Sequence, residues 1–249
     1  MSSNYLKLNS GKTELMVVAP KALLQKVGDF VLEVDGCSIS PSPEARNLGV
    51  ILDSTLSYHS HVKSVTKSAF YHLRNIARLR PSLSESVAET LVHAFVTTRL
   101  DYYNGVLFGV PNKTPDRLQY VQNCAARVLT HTKPWQHITP TLIHLHWLPV
   151  KFHINYKVLL LTYKSLHALA PQYLSDILHP HAPPRNLRSS DSGLLTTPRT
   201  KLRTFGDRAF SVAAPTLWNA LPAEIRNIPT LDAFKRALKF HLFAKAFGP

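Results

Sequence analysis

The spacing of hydrophobic positions changes along the chain, and the change falls near residue 57. Before it, short apolar runs predict strands over residues 13–18, 30–39 and 47–52, with Asp35-Gly36 as a hairpin turn. After it, apolar positions recur at helical spacing. The expected helices cover residues 59–79, 84–107, 114–130, 150–168, 207–221 and 230–247, the last with Thr230 as its N-cap.

These elements predict an α+β fold that is mostly α. We expect a small, incomplete β-rich N-terminal piece, followed by a helical bundle region and a C-terminal helical segment. Residues 179–206 are rich in Pro, Ser, Thr and Arg and have no clear period, which is typical of a long loop or linker. The expected division is therefore 1–56, 57–133, 134–178, 179–206 and 207–249.

The predicted helix over residues 59–79 has two different faces. At about 100° per residue, one sector collects the apolar residues Val62, Val65, Ala69, Leu73 and Ile76. The opposite side collects four cations: Lys63, Lys67, Arg74 and Arg78. No Asp or Glu occurs between Ser54 and Ser84, so this face can meet phosphates along a nucleic-acid backbone without reading a base. The alternative is an ordinary polar surface, because Lys and Arg are good helix formers.

Net charge supports a polyanionic partner. Residues 1–60 carry five Lys/Arg and six Asp/Glu, a net charge of −1, whereas residues 61–249 carry 24 and nine, a net charge of +15. A field of that sign attracts nucleic acid, since cationic side chains release counterions from phosphates. Apolar residues make up 45% of the chain, which favours a folded protein over a disordered one.

Six sequence blocks carry a family resemblance: residues 6–14 (LKLNSGKTE), 46–53 (RNLGVILD), 74–83 (RNIARLRPSL), 93–101 (HAFVTTRLD), 145–150 (LHWLPV) and 187–222. In this order they resemble the C-terminal part of the reverse transcriptases of LINE-type (non-LTR) retrotransposons. The resemblance covers nearly the whole chain. It implies that residues 1–56 are a remnant of the palm and primer grip, that residues 57–133 form a thumb-like helical region, and that a helical extension, a basic loop and a C-terminal helical segment follow.

The resemblance also assigns expected roles to residues. The thumb of such an enzyme grips the primer–template duplex, which implies that Lys63, Lys67, Arg74 and Arg78 bind nucleic acid. Polymerases of this type are thought to use a lysine near Lys12 to protonate the departing pyrophosphate, so Lys12 is a vestigial general-acid candidate. Its alternative interpretation is a solvated turn lysine. Residues 47–50 resemble the primer-grip hairpin, where Gly49 permits close backbone approach.

Catalysis is not expected of this chain as it stands. A polymerase needs a pair of carboxylates that hold two Mg²⁺ ions, and no Asp-Asp pair occurs here, because the chain begins just downstream of where that box would lie. We therefore expect no catalytic residue, no cofactor, no metal and no small-molecule substrate. Two functions remain open: a nucleic-acid-binding fragment of an RNA-directed DNA polymerase, or a translated relic or truncated gene model without a selected role.

Several other residues are weaker candidates. Three His-x-His pairs occur, at residues 59/61, 144/146 and 179/181, but they lack the partner cysteines of a structural zinc site. In the basic loop, phosphate contacts are expected from Arg188, Arg199, Lys201 and Arg203, and a solvated, mobile linker is the alternative. Gln119, Asn123 and Arg127 share a helix side but are interpreted as ordinary polar residues. Trp147 and Trp218, each beside a Leu-Pro pair, are expected in the core.

Localisation follows from what the sequence lacks. No apolar run approaches the ~20 residues that span a bilayer, and the first residues have no signal-peptide core. Cys37 and Cys124 are isolated, which is typical of a reducing compartment. We therefore expect an intracellular protein, nuclear or cytoplasmic, with no membrane partner.

Overall fold

Two strand hairpins precede all the long helices in the computed structural model, which describes residues 9–28, 30–181 and 193–248. The chain divides into two units, Met1–Lys67 and Ser68–Pro249. The boundary between the two units falls inside helix α2, which spans His59–Leu79. The α+β, mostly α fold predicted from the sequence is confirmed.

The first unit contains two separate antiparallel hairpins. β1 (Leu32–Val34) pairs with β2 (Cys37–Ile39) around Asp35 and Gly36, both of which have positive φ, 49° and 76°. Positive φ at two central residues is what a two-residue hairpin turn requires. The predicted turn at Asp35-Gly36 is confirmed.

The second hairpin corrects the predicted strand over residues 47–52. β3 (Glu44–Asn47) pairs with β4 (Val50–Asp53), and the turn consists of Leu48 and Gly49, with φ of 47° and 82°. A leucine rarely adopts positive φ, so residue type alone hides this turn inside an apolar run. The single strand was therefore wrong, although a hairpin at residues 47–50 is what the family resemblance implies.

The predicted strand over residues 13–18 was also wrong. Only Leu15 pairs there, in an isolated parallel bridge with Pro41, and Ser42 N donates to Leu15 O at 2.7 Å. Proline has no N–H to continue such a ladder, and both Pro41 and Pro43 lie in the partner segment. A short helix, α1 (Lys21–Leu24), follows.

Helices are the main elements of the described chain after Asp53. The predicted bounds of α2 are confirmed, and those of the helices predicted from residues 114, 150 and 230 agree within two residues. Shorter helices lie between the long ones. The remaining bounds are α3 Glu85–Val92, α4 Thr98–Asp101, α5 Lys113–Thr130, α6 Thr139–His144, α7 Val150–Leu166, α8 Gln172–Ser175, α9 Arg203–Gly206, α10 Phe210–Asn219, α11 Ala223–Arg226 and α12 Leu231–Phe247.

The single helix predicted over residues 84–107 was wrong. After α3 the backbone widens into a π-helical segment, His93–Thr97, and returns to α geometry in α4. The helix then ends at Tyr102, whose ψ is 120°, and Tyr103 adopts a left-handed φ of 55°. A 3₁₀ turn, Asn104–Leu107, follows. The hydrophobic period continues across this break, so the period alone does not reveal it.

Aromatic rings organise a large core of the second unit. Phe234 of α12 is fully buried and stacks on Tyr163 of α7 at a centroid distance of 4.2 Å, while Trp218 of α10 lies 5.9 Å from Phe234. The Tyr163 hydroxyl donates to Ile228 O at 3.0 Å, which satisfies its polar end. The expectation that Trp147 and Trp218 belong to the core is confirmed, since they are only 8% and 2% exposed.

Two short stretches on either side of residues 182–192 pair with each other. Pro180 and Leu195 form an antiparallel bridge, His181 N donates to Leu194 O at 2.9 Å, and Thr196 N donates to His179 O at 2.8 Å. The Asn219 side chain then binds Leu195 at both its N–H and its carbonyl, at 2.9 and 2.8 Å. These bonds hold the second stretch against the end of α10.

Thr230 is the N-cap residue of α12 as predicted, although its side chain makes no capping hydrogen bond. Its carbonyl instead accepts the first helical bond, from Phe234 N at 2.9 Å. Across the described residues, no helix is long and apolar enough to cross a membrane.

Candidate nucleic-acid interface

Asp53 fixes the turn that leads into α2 within the first unit. Its Oδ1 accepts hydrogen bonds from Thr55 N, the Thr55 hydroxyl and Ser57 N, and its Oδ2 accepts one from Tyr58 N at 2.7 Å. Burial alone raises the pKa of Asp53, but the hydrogen bonds from Thr55, Ser57 and Tyr58 together outweigh it and lower the pKa below its usual value. An ionised carboxylate therefore holds the start of α2 in place.

His61 faces the second hairpin and is not available as a surface ligand. It is 5% exposed, and its Nδ1 accepts a hydrogen bond from Ile51 N at 3.4 Å. Burial, helped by the nearby Arg46 charge, lowers the pKa of His61 and keeps the imidazole neutral. A neutral acceptor suits this backbone contact. No group of three or more His, Cys, Asp or Glu side chains that could hold a metal ion occurs within residues 9–28, 30–181 and 193–248.

Lys63 and Lys67 lie on the part of α2 that belongs to the first unit, and both are exposed. The apolar positions predicted to oppose them are buried or half-buried, with Val62 only 1% exposed. Among the described residues, neither ammonium has a carboxylate within 4.0 Å. Both charges are therefore available to a ligand.

Arg74 and Arg78 lie on the part of α2 that belongs to the second unit, and both are exposed. Arg74 Nε donates to Phe70 O, one turn earlier, at 3.2 Å. This bond restrains the guanidinium against the helix and leaves its two terminal nitrogens for a ligand. No ion pair involves either arginine in the described part of the chain.

Exposed aromatic rings lie beside these arginines and were not among the residues predicted from the sequence. Tyr71 is 60% exposed, and its spacing from Arg74 and Arg78 places all three on one face of α2. Next to it, His72 stacks on Phe95 of the π-helical segment, with 5.2 Å between centroids and 18° between planes. Phe95 is itself 42% exposed. The sequence feature that could have indicated this site is an aromatic residue, Tyr71, among the cations on one face of the predicted helix.

The predicted phosphate contacts of the basic loop lie elsewhere along the second unit. Arg199, Lys201 and Arg203 are all exposed, and Arg203 is the first residue of α9. The Thr200 hydroxyl donates to Asp207 Oδ1 at 2.6 Å, so this stretch is tied to the residue that follows α9. Arg188 lies outside the described residues.

Lys12 ends a 3₁₀ turn, Ser10–Lys12, and is exposed. The turn is closed by Lys12 N and by the Thr13 hydroxyl, which donate to Asn9 O at 3.0 and 2.9 Å. This is the geometry of a surface turn. The general-acid role that the family resemblance implies stays a prediction.

The polar residues of α5 bind other parts of the protein. The side chain of Gln119 donates hydrogen bonds to Gln122 and Asn123. It also accepts one, at 2.8 Å, from the N–H of Val150, which is the first residue of α7. Arg127 donates to the carbonyls of Lys133 and Gln136. These contacts agree with the interpretation of Gln119, Asn123 and Arg127 as ordinary structural residues.

Comparison of the chain with protein-family models, with curated proteins and with solved structures gave no match.

Proposed function

We propose that this chain binds nucleic acid through its phosphates, without preference for sequence. The observation that carries the proposal is the face of α2 in the second unit, where Arg74 and Arg78 lie beside exposed Tyr71. Cations that follow a backbone, combined with rings on which bases stack, are the two components of sequence-tolerant recognition.

Electrostatics supports this choice of partner. No Asp or Glu occurs from Ser54 to Ser84, so α2 itself carries no acidic side chain. The +15 net charge of residues 61–249 adds a long-range attraction for polyanions. Lys63 and Lys67 supply a second pair of unpaired cations in the first unit.

The resemblance to the thumb of LINE-type reverse transcriptases suggests an RNA–DNA hybrid as the ligand. In a longer parent protein, the chain would hold that hybrid during synthesis. We propose no catalytic role for the chain itself, because the carboxylate pair that binds the catalytic metal ions does not occur in its sequence.

Binding across a salt series tests the proposal. Fluorescence anisotropy with a labelled RNA–DNA hybrid should give a log–log slope that reflects ~0.7–0.9 released counterions for each phosphate contact. The double variants Lys63→Gln/Lys67→Gln and Arg74→Gln/Arg78→Gln should each reduce the slope by about 1.4–1.8, the share of two contacts. Tyr71→Ala should weaken binding to single strands by ~1–3 kcal/mol with little change in slope.

The control is Arg236→Gln/Lys245→Gln, which removes two exposed charges from α12. It should leave the slope unchanged. An equal reduction of the slope in the control variant would show that net charge, and not the face of α2, determines binding. The proposal for α2 would then fail. If the folded wild-type protein binds no hybrid at low salt, the proposal fails and the relic hypothesis takes its place.

A further inference from the structure

A cavity of about 290 Å³ lies in the second unit between the 3₁₀ turn Asn104–Leu107, α7 and α12. Its walls carry Asp101, Asn104, His153, Lys157 and Lys239, with Leu148 and Tyr156 as its apolar part. These residues come from three stretches of the chain, 101–104, 148–157 and 239, which lie far apart in the sequence. The sequence pattern therefore gave no sign that they meet.

Asp101 holds two of the polar side chains in place. Its Oδ1 lies 3.2 Å from His153 Nδ1 and accepts a hydrogen bond from Asn104 Nδ2 at 3.3 Å. The first contact fixes the orientation of the imidazole ring, so that Nε2 is the ring nitrogen that does not contact Asp101. The second fixes the amide, because a flipped Asn104 would place its oxygen against the carboxylate.

Asn104 is left with an unsatisfied group. The residue is 3% exposed, and its Oδ1 has no hydrogen-bond partner in the described part of the protein. Buried polar oxygens in folded proteins are nearly always paired, so an unpaired one calls for a physical explanation. A ligand that brings a hydroxyl or amino donor would supply the missing partner.

Two lysines supply the positive charge of the cavity wall, which also carries the carboxylate of Asp101. Neither Lys157 nor Lys239 has a carboxylate within 4.0 Å among the residues that the structure describes. The stem of Lys157 packs over the 3₁₀ turn, since its Cγ lies 3.4 Å from the point that a Cβ on Gly105 would occupy. Packing of the stem restricts the side chain before any ligand binds.

We propose that this cavity binds the phosphate monoester of a single nucleotide. A monoester carries a charge of about −1.5 to −2 at neutral pH, so it is attracted to the two lysines more strongly than a backbone diester with its single charge, while the Asp101 carboxylate is engaged by His153 and Asn104. The sugar of the nucleotide supplies the donor that Asn104 Oδ1 lacks. The cavity volume of about 290 Å³ is just below the range of about 300–1,000 Å³ for small-molecule sites, so the cavity suits a ligand no larger than one nucleotide. Either a free nucleotide or the 5′-phosphorylated end of a strand presents this chemistry.

Calorimetric titration with AMP tests the cavity independently of α2. The wild-type protein should bind AMP, and adenosine, which lacks the phosphate, should bind at least about tenfold more weakly. Lys157→Gln/Lys239→Gln should weaken AMP binding by a similar factor. The control is Lys151→Gln/Arg236→Gln, which removes exposed charges from the same two helices and should not change the affinity. Circular dichroism verifies that each variant is folded.

Two oligonucleotides of one sequence, one 5′-phosphorylated and one 5′-hydroxyl, distinguish the two sources. Tighter binding of the phosphorylated strand, lost in Lys157→Gln/Lys239→Gln, identifies a strand end. Equal binding of both strands together with AMP binding identifies a free nucleotide. The variant Arg74→Gln/Arg78→Gln should bind both strands more weakly but AMP with unchanged affinity. The function proposed for α2 is therefore tested separately from the cavity. A folded wild-type protein that does not bind AMP, or a Lys157→Gln/Lys239→Gln variant that binds it normally, would overturn the proposal.

Discussion

A single carboxylate, that of Asp53, connects the second hairpin to α2. It is the last residue of β4, and it accepts hydrogen bonds from three backbone N–H groups and one hydroxyl in the following five residues. Apolar contacts could not replace it, because these backbone groups need an acceptor. Asp53 therefore sets the direction in which α2 leaves the second hairpin, and with it the position of the two cations that α2 carries in the first unit.

Replacement of Asp53 by Asn should lower the free energy of unfolding by about 1–2 kcal/mol at neutral pH, because the amide nitrogen takes the place of one acceptor oxygen and leaves a donor without its partner. Because the pKa of Asp53 is lowered in the folded state, its contribution is fully present above the unfolded value of 3.8 and is lost as the pH falls through the folded value. Urea unfolding followed by circular dichroism should therefore show a difference at about pH 7 that shrinks at about pH 3. Asp232→Asn, at an exposed pair with Lys235, is the matched control with a small effect. An unchanged difference at acid pH would contradict this prediction.

At the scale of elements, α5 caps α7. The N-cap residue of α7 is Pro149, which makes no side-chain capping bond. Gln119 Oε1 accepts from Val150 N instead, at 2.8 Å, and Gln122 Nε2 donates to Leu148 O at 2.8 Å just before the helix. Two side chains of one helix thus satisfy backbone groups at the start of another, which sets the register between them.

Gln119→Ala should therefore destabilise the protein by about 1 kcal/mol, the usual cost of a lost capping bond. Hydrogen exchange at the Val150 amide should become faster, because this N–H loses its acceptor. Asn123→Ala is the control, since Asn123 accepts a hydrogen bond from Gln119 but makes none with the backbone of α7 among the described residues. Slow exchange at Val150 in the Gln119 variant would show that another group caps α7.

An element was predicted accurately when its hydrophobic period is regular, and wrongly when its end depends on a backbone conformation or a proline. α2, α5, α7 and α12 have a regular apolar period, and their bounds were predicted within two residues. The wrong elements depend on features that the period does not carry: the left-handed Leu48, the left-handed Tyr103 and the prolines opposite Leu15. The same holds for function. The exposure of the α2 cations follows from the period, whereas the His72–Phe95 stack joins residues from two elements and needs the fold.

At the scale of the whole molecule, all three tryptophans lie in the second unit, at positions 135, 147 and 218. Phe234→Ala should lower the stability of this unit by about 3–5 kcal/mol, since Phe234 packs against Tyr163 and Trp218. Denaturation followed by tryptophan fluorescence should show a lower midpoint. Phe240→Ala, on the same helix but with Phe240 77% exposed, should leave the midpoint nearly unchanged. Equal midpoints for the two variants would place the main core elsewhere.

The pairing of Pro180 with Leu195 has a consequence for how the protein tolerates insertions. The stretches before and after residues 182–192 are already held together by the bonds of His179, His181, Leu194 and Thr196, and by Asn219. Because these bonds hold the two stretches together, the closure entropy that a flexible insertion adds between them is only about 0.6 kcal/mol for each doubling of the connecting length. We expect an epitope tag or a fluorescent reporter placed between them to leave these hydrogen bonds intact.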